Sequence, residues 1–167
     1  MNSFLSILKE TADLPGKKNI RLHELEYLWE TAKQFEINRI IESGTYYGLT
    51  AIRLNKLYPE CSVYTFEIRK ERWRKIPKEH LGKNIYFKHG ELINSINLVT
   101  SDSLVVIDGP KRERAINLAR KCAKIVPIVG IHDMLEYEYL LKKTFVDYRM
   151  CGVLAVVTLK KDVIFPC

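Results

Sequence analysis

Along the chain, short apolar runs alternate with longer stretches in which apolar residues recur every three or four positions. The short runs predict strands and the longer stretches helices. Phe4, Leu5 and Leu8 share one side of a short helix over residues 2–10, and Asp13-Leu14-Pro15-Gly16 reads as a turn. Leu22, Leu25, Trp29 and Ala32 predict an amphipathic helix from about Ile20 to Phe35, with Trp29 in the core. Five strands are then expected, each followed by a helical pattern: Arg39–Glu42, Ser62–Phe66, Asn84–Lys88, Ser103–Ile107 and Val126–Ile131. The helices between them span Gly48 to Tyr58, Lys70 to His80 with a break near Pro77, a segment carrying Leu92, Ile93 and Ile96, Arg112 to Lys124, and Met134 to Lys143. Phe145–Met150 and Val153–Leu159 flank Cys151-Gly152 and predict a closing hairpin. Strand–helix alternation at this pitch means βαβ units and a mostly parallel sheet covered on both faces. Residues 1–167 suit one domain, with N-terminal helices in 1–37 ahead of a ligand-binding core in 38–167.

One junction stands out. Glu42-Ser43-Gly44-Thr45-Tyr46-Tyr47-Gly48-Leu49-Thr50 joins the first strand to its helix through a glycine turn. Such a junction lets a ligand approach free backbone N–H groups at a helix N-terminus. A dinucleotide fold needs G-x-G-x-x-G, with the middle glycine making room for a pyrophosphate. Here Tyr46 stands where that glycine would be, which argues against a pyrophosphate on this turn. The pattern E-x-G-x-x-x-G-x-T resembles motif I of the class I S-adenosylmethionine (SAM) dependent methyltransferases, whose cofactor has no phosphate. The resemblance runs along nearly the whole chain and implies a three-layer Rossmann-like methyltransferase fold, with a mostly parallel seven-stranded sheet ending in an antiparallel hairpin.

In an open parallel sheet the ligand lies beyond the carboxyl ends of the strands. Here the strand ends carry Glu42, Glu67, His89-Gly90-Glu91, Asp108-Gly109-Pro110-Lys111 and His132-Asp133. A carboxylate stands within a residue or two of every one of these ends. Glu67 is placed to accept hydrogen bonds from a ribose. By the resemblance, Glu42 and Gly44 hold the methionine part of SAM, with Thr45, Tyr46 and Gly48 completing the turn. Ile68 lies against the adenine, and Gly90 and Glu91 sit near its amino group. Ile107-Asp108-Gly109-Pro110 and Ile131-His132-Asp133 resemble small-molecule and sugar O-methyltransferases, in some of which such acids hold magnesium. Asp108 and Asp133 are therefore candidate Mg²⁺ ligands, and Asp108 and His132 are candidates for handling the acceptor's proton. Other readings stand beside these. Asp133 with Glu136 has the spacing of a helix capping box, Asp108 can fix the turn before Pro110, and His132 can bond backbone. Tyr46 and Tyr47 either close over the cofactor, contact the substrate or pack against the N-terminal helix.

Composition changes this picture little. A hydrophobic fraction of 47% is ordinary for a globular protein, and no apolar run is long enough to cross a bilayer. Cys61, Cys122, Cys151 and Cys167 form no C-x-x-C pair, which argues against a zinc knuckle or redox motif and fits reduced cytoplasmic thiols. Cys122 falls on an apolar helix face as a small core residue. No secretory signal is evident at the start of the sequence. The net charge of +7 comes largely from two basic runs, Arg69 to Lys78 and Lys111 to Lys124. Most of these side chains read as solvated helix faces, but Lys111 and Arg112 stand beside the expected cleft and suit an acidic acceptor. No nucleic-acid-binding motif is present, so a nucleic-acid substrate is the less favoured reading. The expected activity is SAM-dependent methyl transfer to an oxygen of a small-molecule or sugar acceptor. A SAM-binding module without turnover is the alternative.

Overall fold

A computed structural model describes residues 4–12, 20–73, 81–158 and 163–166. Within them, β1 (Arg39–Ser43), β2 (Ser62–Glu67), β3 (Ile85–His89), β4 (Ser103–Ile107), β5 (Ile128–Ile131), β6 (Tyr148–Cys151) and β7 (Leu154–Thr158) form one seven-stranded sheet in the order β3-β2-β1-β4-β5-β7-β6. The first five strands run parallel, and β7 inserts antiparallel between β5 and β6. The strand order reverses between β1 and β4, so the crevice of the switch point opens beyond Ser43 and Ile107. β4 is buried at every position, as its unbroken Leu-Val-Val-Ile run requires in a sheet covered on both faces.

The helices are α1 (Phe4–Glu10), α2 (Leu22–Ala32), α3 (Leu49–Leu57), α4 (Lys70–Trp73), α5 (Glu113–Cys122) and α6 (Glu138–Thr144). One hydrophobic cluster joins α5 and α6 to one face of the sheet, including Cys122, and a second joins α2 and α3 to the other. Burial pushes the Cys122 thiol up to about 12, so it stays protonated. Cys61, Cys122 and Cys151 are free thiols. No described helix is long and apolar enough to cross a membrane.

Three local expectations are corrected. The buried face of α2 carries Glu24, Leu25, Leu28, Thr31 and Ala32, while Leu22 is exposed. Trp29 sits at the rim of that core, stacked on Phe4 at 5.7 Å with the Lys33 ammonium over its ring. The helix expected at Leu92 is a 3-10 segment, Leu92–Leu98, broken by the non-helical Ser95. The helix expected from Met134 opens as a 3-10 turn, Leu135–Tyr137, before α6. The expected helix over Lys70–His80 is described only as α4, and its remainder lies outside the described residues, as do the turn at 13–16, His80 and Cys167.

The candidate active site

The strand ends are stitched to one another by backbone. Gly44 and Thr45 donate to the Phe66 carbonyl, Asp108 and Gly109 to that of Ser43, Gly90 to that of Glu67, and His132 to that of Ile107, at 2.8–3.0 Å. Gly44 has φ of 99°, and a Cβ there would lie 2.6 Å from the Gly109 nitrogen. Only glycine allows the β1 and β4 turns to close on each other this tightly. The result is a cleft of about 920 Å³ at the switch point, within the range of small-molecule sites.

Among the expected site residues, Gly44, Tyr46, Glu67, Ile68, Gly90, Glu91 and Asp108 line this cleft. Glu67 is buried, and its carboxylate accepts the Tyr46 N–H at 2.9 Å and the Arg69 N–H at 3.0 Å. The Arg72 guanidinium lies 3.4 Å from the same carboxylate and over the Tyr46 ring. Ile68 is 58% exposed at the cleft rim, an apolar surface free to meet a flat ring. A carboxylate with acceptor capacity left, an exposed aliphatic beside it and a glycine floor together fit the ribose, adenine and tail of a SAM-sized cofactor.

Glu42, Thr45 and Gly48 lie under the floor rather than on it. Thr65 donates its hydroxyl to Glu42 and also contacts that of Thr45. Burial, with the charges of Asp108 and Glu67 adding to it, pushes the Glu42 carboxyl up to about 8, so it is largely protonated at neutral pH. Gly48 caps α3 in the left-handed conformation. Tyr46 and Tyr47 pack on each other at 4.2 Å between ring centres, and Tyr46 faces the cleft.

The other half of the cleft is built from charged side chains. His132 Nδ1 lies 2.8 Å from Asp108 Oδ1 and 3.4 Å from Asp133 Oδ1. Lys111 Nζ donates to Asp108 Oδ1 at 2.5 Å and to Asp133 Oδ2 at 2.7 Å. Burial works against the charge on His132, but the hydrogen bond to Asp108 and the charges of Asp108, Asp133 and Glu24 outweigh it and raise the imidazole pKa. Lys111 is raised in the same way by Asp108 and Asp133 against burial. Asp133 has φ of 60° and no capping role; the cap of the 3-10 turn is Met134, without a side-chain bond. Its side chain is held by Lys111 instead, so the capping-box reading does not hold.

Glu24 completes this half, and nothing in the sequence analysis singled it out. It is fully buried. Its Oε1 accepts the Val153 N–H of the β6–β7 turn and its Oε2 the Arg21 N–H, each at 2.8 Å. Oε2 also lies 3.4 Å from His132 Nε2, which is buried without a hydrogen-bond partner among the described residues. The available signal was an acid one residue before Leu25 and four before Leu28, on the face that packs. Arg72 and Arg114, which pairs with Glu91 at 2.7 Å, also enter the cleft from the two basic runs.

Among the described residues, positive φ outside glycine occurs at Tyr46, Arg112 and Asp133, and each lines the cleft or a recess of about 330 Å³ beside it. Backbone strain of this kind clusters at active sites and ligand clamps, which makes this opening the candidate site. The recess is lined by Lys111, Arg112, Asp133, Leu135, Tyr137 and Val153, among others.

The architecture is that of the class I SAM-dependent methyltransferases, with the mostly parallel sheet and C-terminal antiparallel hairpin of that fold. Among the solved structures it matches is the precorrin-6y C5,15-methyltransferase of Geobacter metallireducens GS-15, at 10% identity and a TM-score of 0.65 over 88% of this chain and 92% of that one. Cofactor-bound Rv0187 from MTB matches at 14% and 0.67, over 95% and 88%. The O-methyltransferase TomG of Streptomyces achromogenes, in complex with SAM, matches at 17% and 0.60, over 88% and 72%. At these identities the likeness is one of fold. No family model matches the sequence, and no curated protein matches it significantly.

Proposed function

We propose that the protein is a SAM-dependent methyltransferase acting on an oxygen of a small-molecule or sugar acceptor. The observation that carries this reading is the division of one cleft into two halves. Glu67, Ile68 and Gly44 make a cofactor cradle, and Asp108, Lys111, His132 and Asp133 form a polar constellation across from it. SAM supplies an activated methyl group on a sulfonium, so the protein's task is alignment and removal of the acceptor's proton.

The cradle side works by binding. Glu67 offers its remaining lone pairs to the ribose hydroxyls, and its two backbone donors hold it in place. Ile68 takes the adenine face, and Gly90 and Glu91 close the far end of the cleft. On the acceptor side, Asp108 Oδ1 is engaged by Lys111 and His132, whereas Oδ2 has no partner among the described residues. Oδ2 is the base that takes the hydroxyl proton. His132 acts through Asp108, because Nδ1 faces Asp108 and Nε2 faces Glu24 inside the protein. This makes His132 a positioning residue rather than the base. The recess walled by Leu135, Tyr137 and Val153 receives the body of the acceptor.

Calorimetric titration with SAM and with S-adenosylhomocysteine tests the cofactor. Saturable binding of both, weakened in Glu67→Ala, is expected; a folded protein that binds neither is not a methyltransferase. An acceptor screen with hydroxyl compounds then tests the oxygen assignment, and transfer only to carbon or only to nucleic acid would overturn it. Binding without any turnover would leave the protein a SAM-binding module.

A further inference from the structure

Asp108, His132 and Asp133 each present a potential metal-ligand atom, all within 4.8 Å of one another. Two of them, Asp108 and Asp133, are the residues at which the sequence suggests a divalent cation. The donor chemistry does not fit Mg²⁺. Magnesium takes oxygen ligands in a near-ideal octahedron at about 2.0–2.1 Å. Asp108 Oδ1 is already bound by Lys111 Nζ and His132 Nδ1, and Asp133 Oδ2 by Lys111 Nζ. The third donor is an imidazole with Nδ1 turned to Asp108 and Nε2 to the buried Glu24. The ammonium of Lys111 bridges the two carboxylates between which an ion would have to bind.

We propose that Lys111 is the resident cation of the acceptor site, holding the place between Asp108 and Asp133 that a divalent ion would take, so that the chain needs no metal there. This rests on the methyltransferase reading for its role in catalysis but not for the geometry. The bridge offsets half the charge of the carboxylate pair, with the His132 imidazole beside it, while leaving Asp108 Oδ2 open to the acceptor. Lys111 reaches this position because it is three residues beyond Asp108, past the turn at Gly109-Pro110. An added divalent cation would have to displace the ammonium and break two charge-assisted bonds.

The test is calorimetric titration of Mn²⁺ and of Mg²⁺ into the full chain without SAM. The proteins compared are the wild type, Lys111→Met, and Lys111→Met combined with Asp108→Asn. The wild type should show no saturable binding below about 1 mM. Lys111→Met should gain a saturable Mn²⁺ site at least about tenfold tighter, and the added Asp108→Asn should abolish it. Saturable wild-type binding as tight as in Lys111→Met would overturn the proposal, as would a Lys111→Met variant that binds no better than the wild type. Circular dichroism and thermal melting check folding, and Lys111→Gln serves if the methionine variant fails to fold. A parallel titration with S-adenosylhomocysteine reports on the cofactor reading separately, so either can fail while the other stands.

Discussion

The two halves of the cleft are made by different means. The proposed cofactor half is local: a glycine turn, the end of the neighbouring strand and the backbone amides between them. Its acid, Glu67, is fixed by the N–H groups of Tyr46 and Arg69. The proposed acceptor half is assembled from distant parts of the chain. Asp108 and Lys111 follow β4, His132 and Asp133 follow β5, Glu24 comes from α2, and Val153 from the β6–β7 turn. Backbone-built sites tolerate little change in shape, because a Cβ has nowhere to go. Side-chain-built sites tolerate little change in charge, because each group balances the next.

Substitutions in each half should separate these modes. The largest effect is expected on the acceptor side. Asp108→Asn removes the proposed base while keeping its shape, so turnover should fall about 100-fold or more, with SAM affinity within about threefold. A fully active variant would remove Asp108 from the chemistry. On the cofactor side, Gly44→Ala forces a Cβ to 2.6 Å from the Gly109 nitrogen at φ of 99°. It should cost about 3 kcal/mol of stability, read by urea unfolding; a loss under about 1 kcal/mol would show that the turns do not need their close contact. Glu67→Ala should weaken SAM by roughly 10- to 100-fold, as expected for charge-assisted hydrogen bonds. Unchanged affinity in calorimetry would remove the ribose assignment.

The remaining effect depends on pH and concerns the acid beneath the floor. Glu42 ionises near 4.5 when free and is raised to about 8 in the fold. The folded state therefore holds its proton more tightly than the unfolded chain. Its contribution to stability is complete below pH 4.5 and is lost as pH rises toward 8. Glu42→Gln removes this titration. At pH 8 the variant should gain on the wild type by several kcal/mol in thermal unfolding, and at pH 4.5 the gap should close. Parallel melting curves across that range would show that Glu42 is ionised in the fold.

Much of the cofactor half was legible because its information is contiguous. The glycine spacing of Gly44 and Gly48, the bulky Tyr46 and the acid at the end of β2 are all read within thirty residues. Even there, sequence placed Glu42 on the ligand without showing that its buried carboxyl accepts the Thr65 hydroxyl. Strand-end position says that an acid is near the crevice, not whether its side chain points into it. In the acceptor half, the Asp108, His132 and Asp133 positions were legible as strand ends. Their partners were not. Glu24 looked like a polar residue of an amphipathic helix, because its reason for being buried lies 129 residues away at Val153.

The sequence by itself determined the layers and the place of the cleft. Hydrophobic period sets which segments are strands and which are helices, and glycine and acidic residues after the strands mark the end at which the cleft opens. Only the tertiary structure decided which charges meet. The strand order 3-2-1-4-5-7-6 brings α2 and the hairpin turn to the end of β5. There Glu24, His132, Asp108, Lys111 and Asp133 share one set of protons and charges. Electrostatic pairing acts through space over a few ångströms, and separation along the chain carries no record of it.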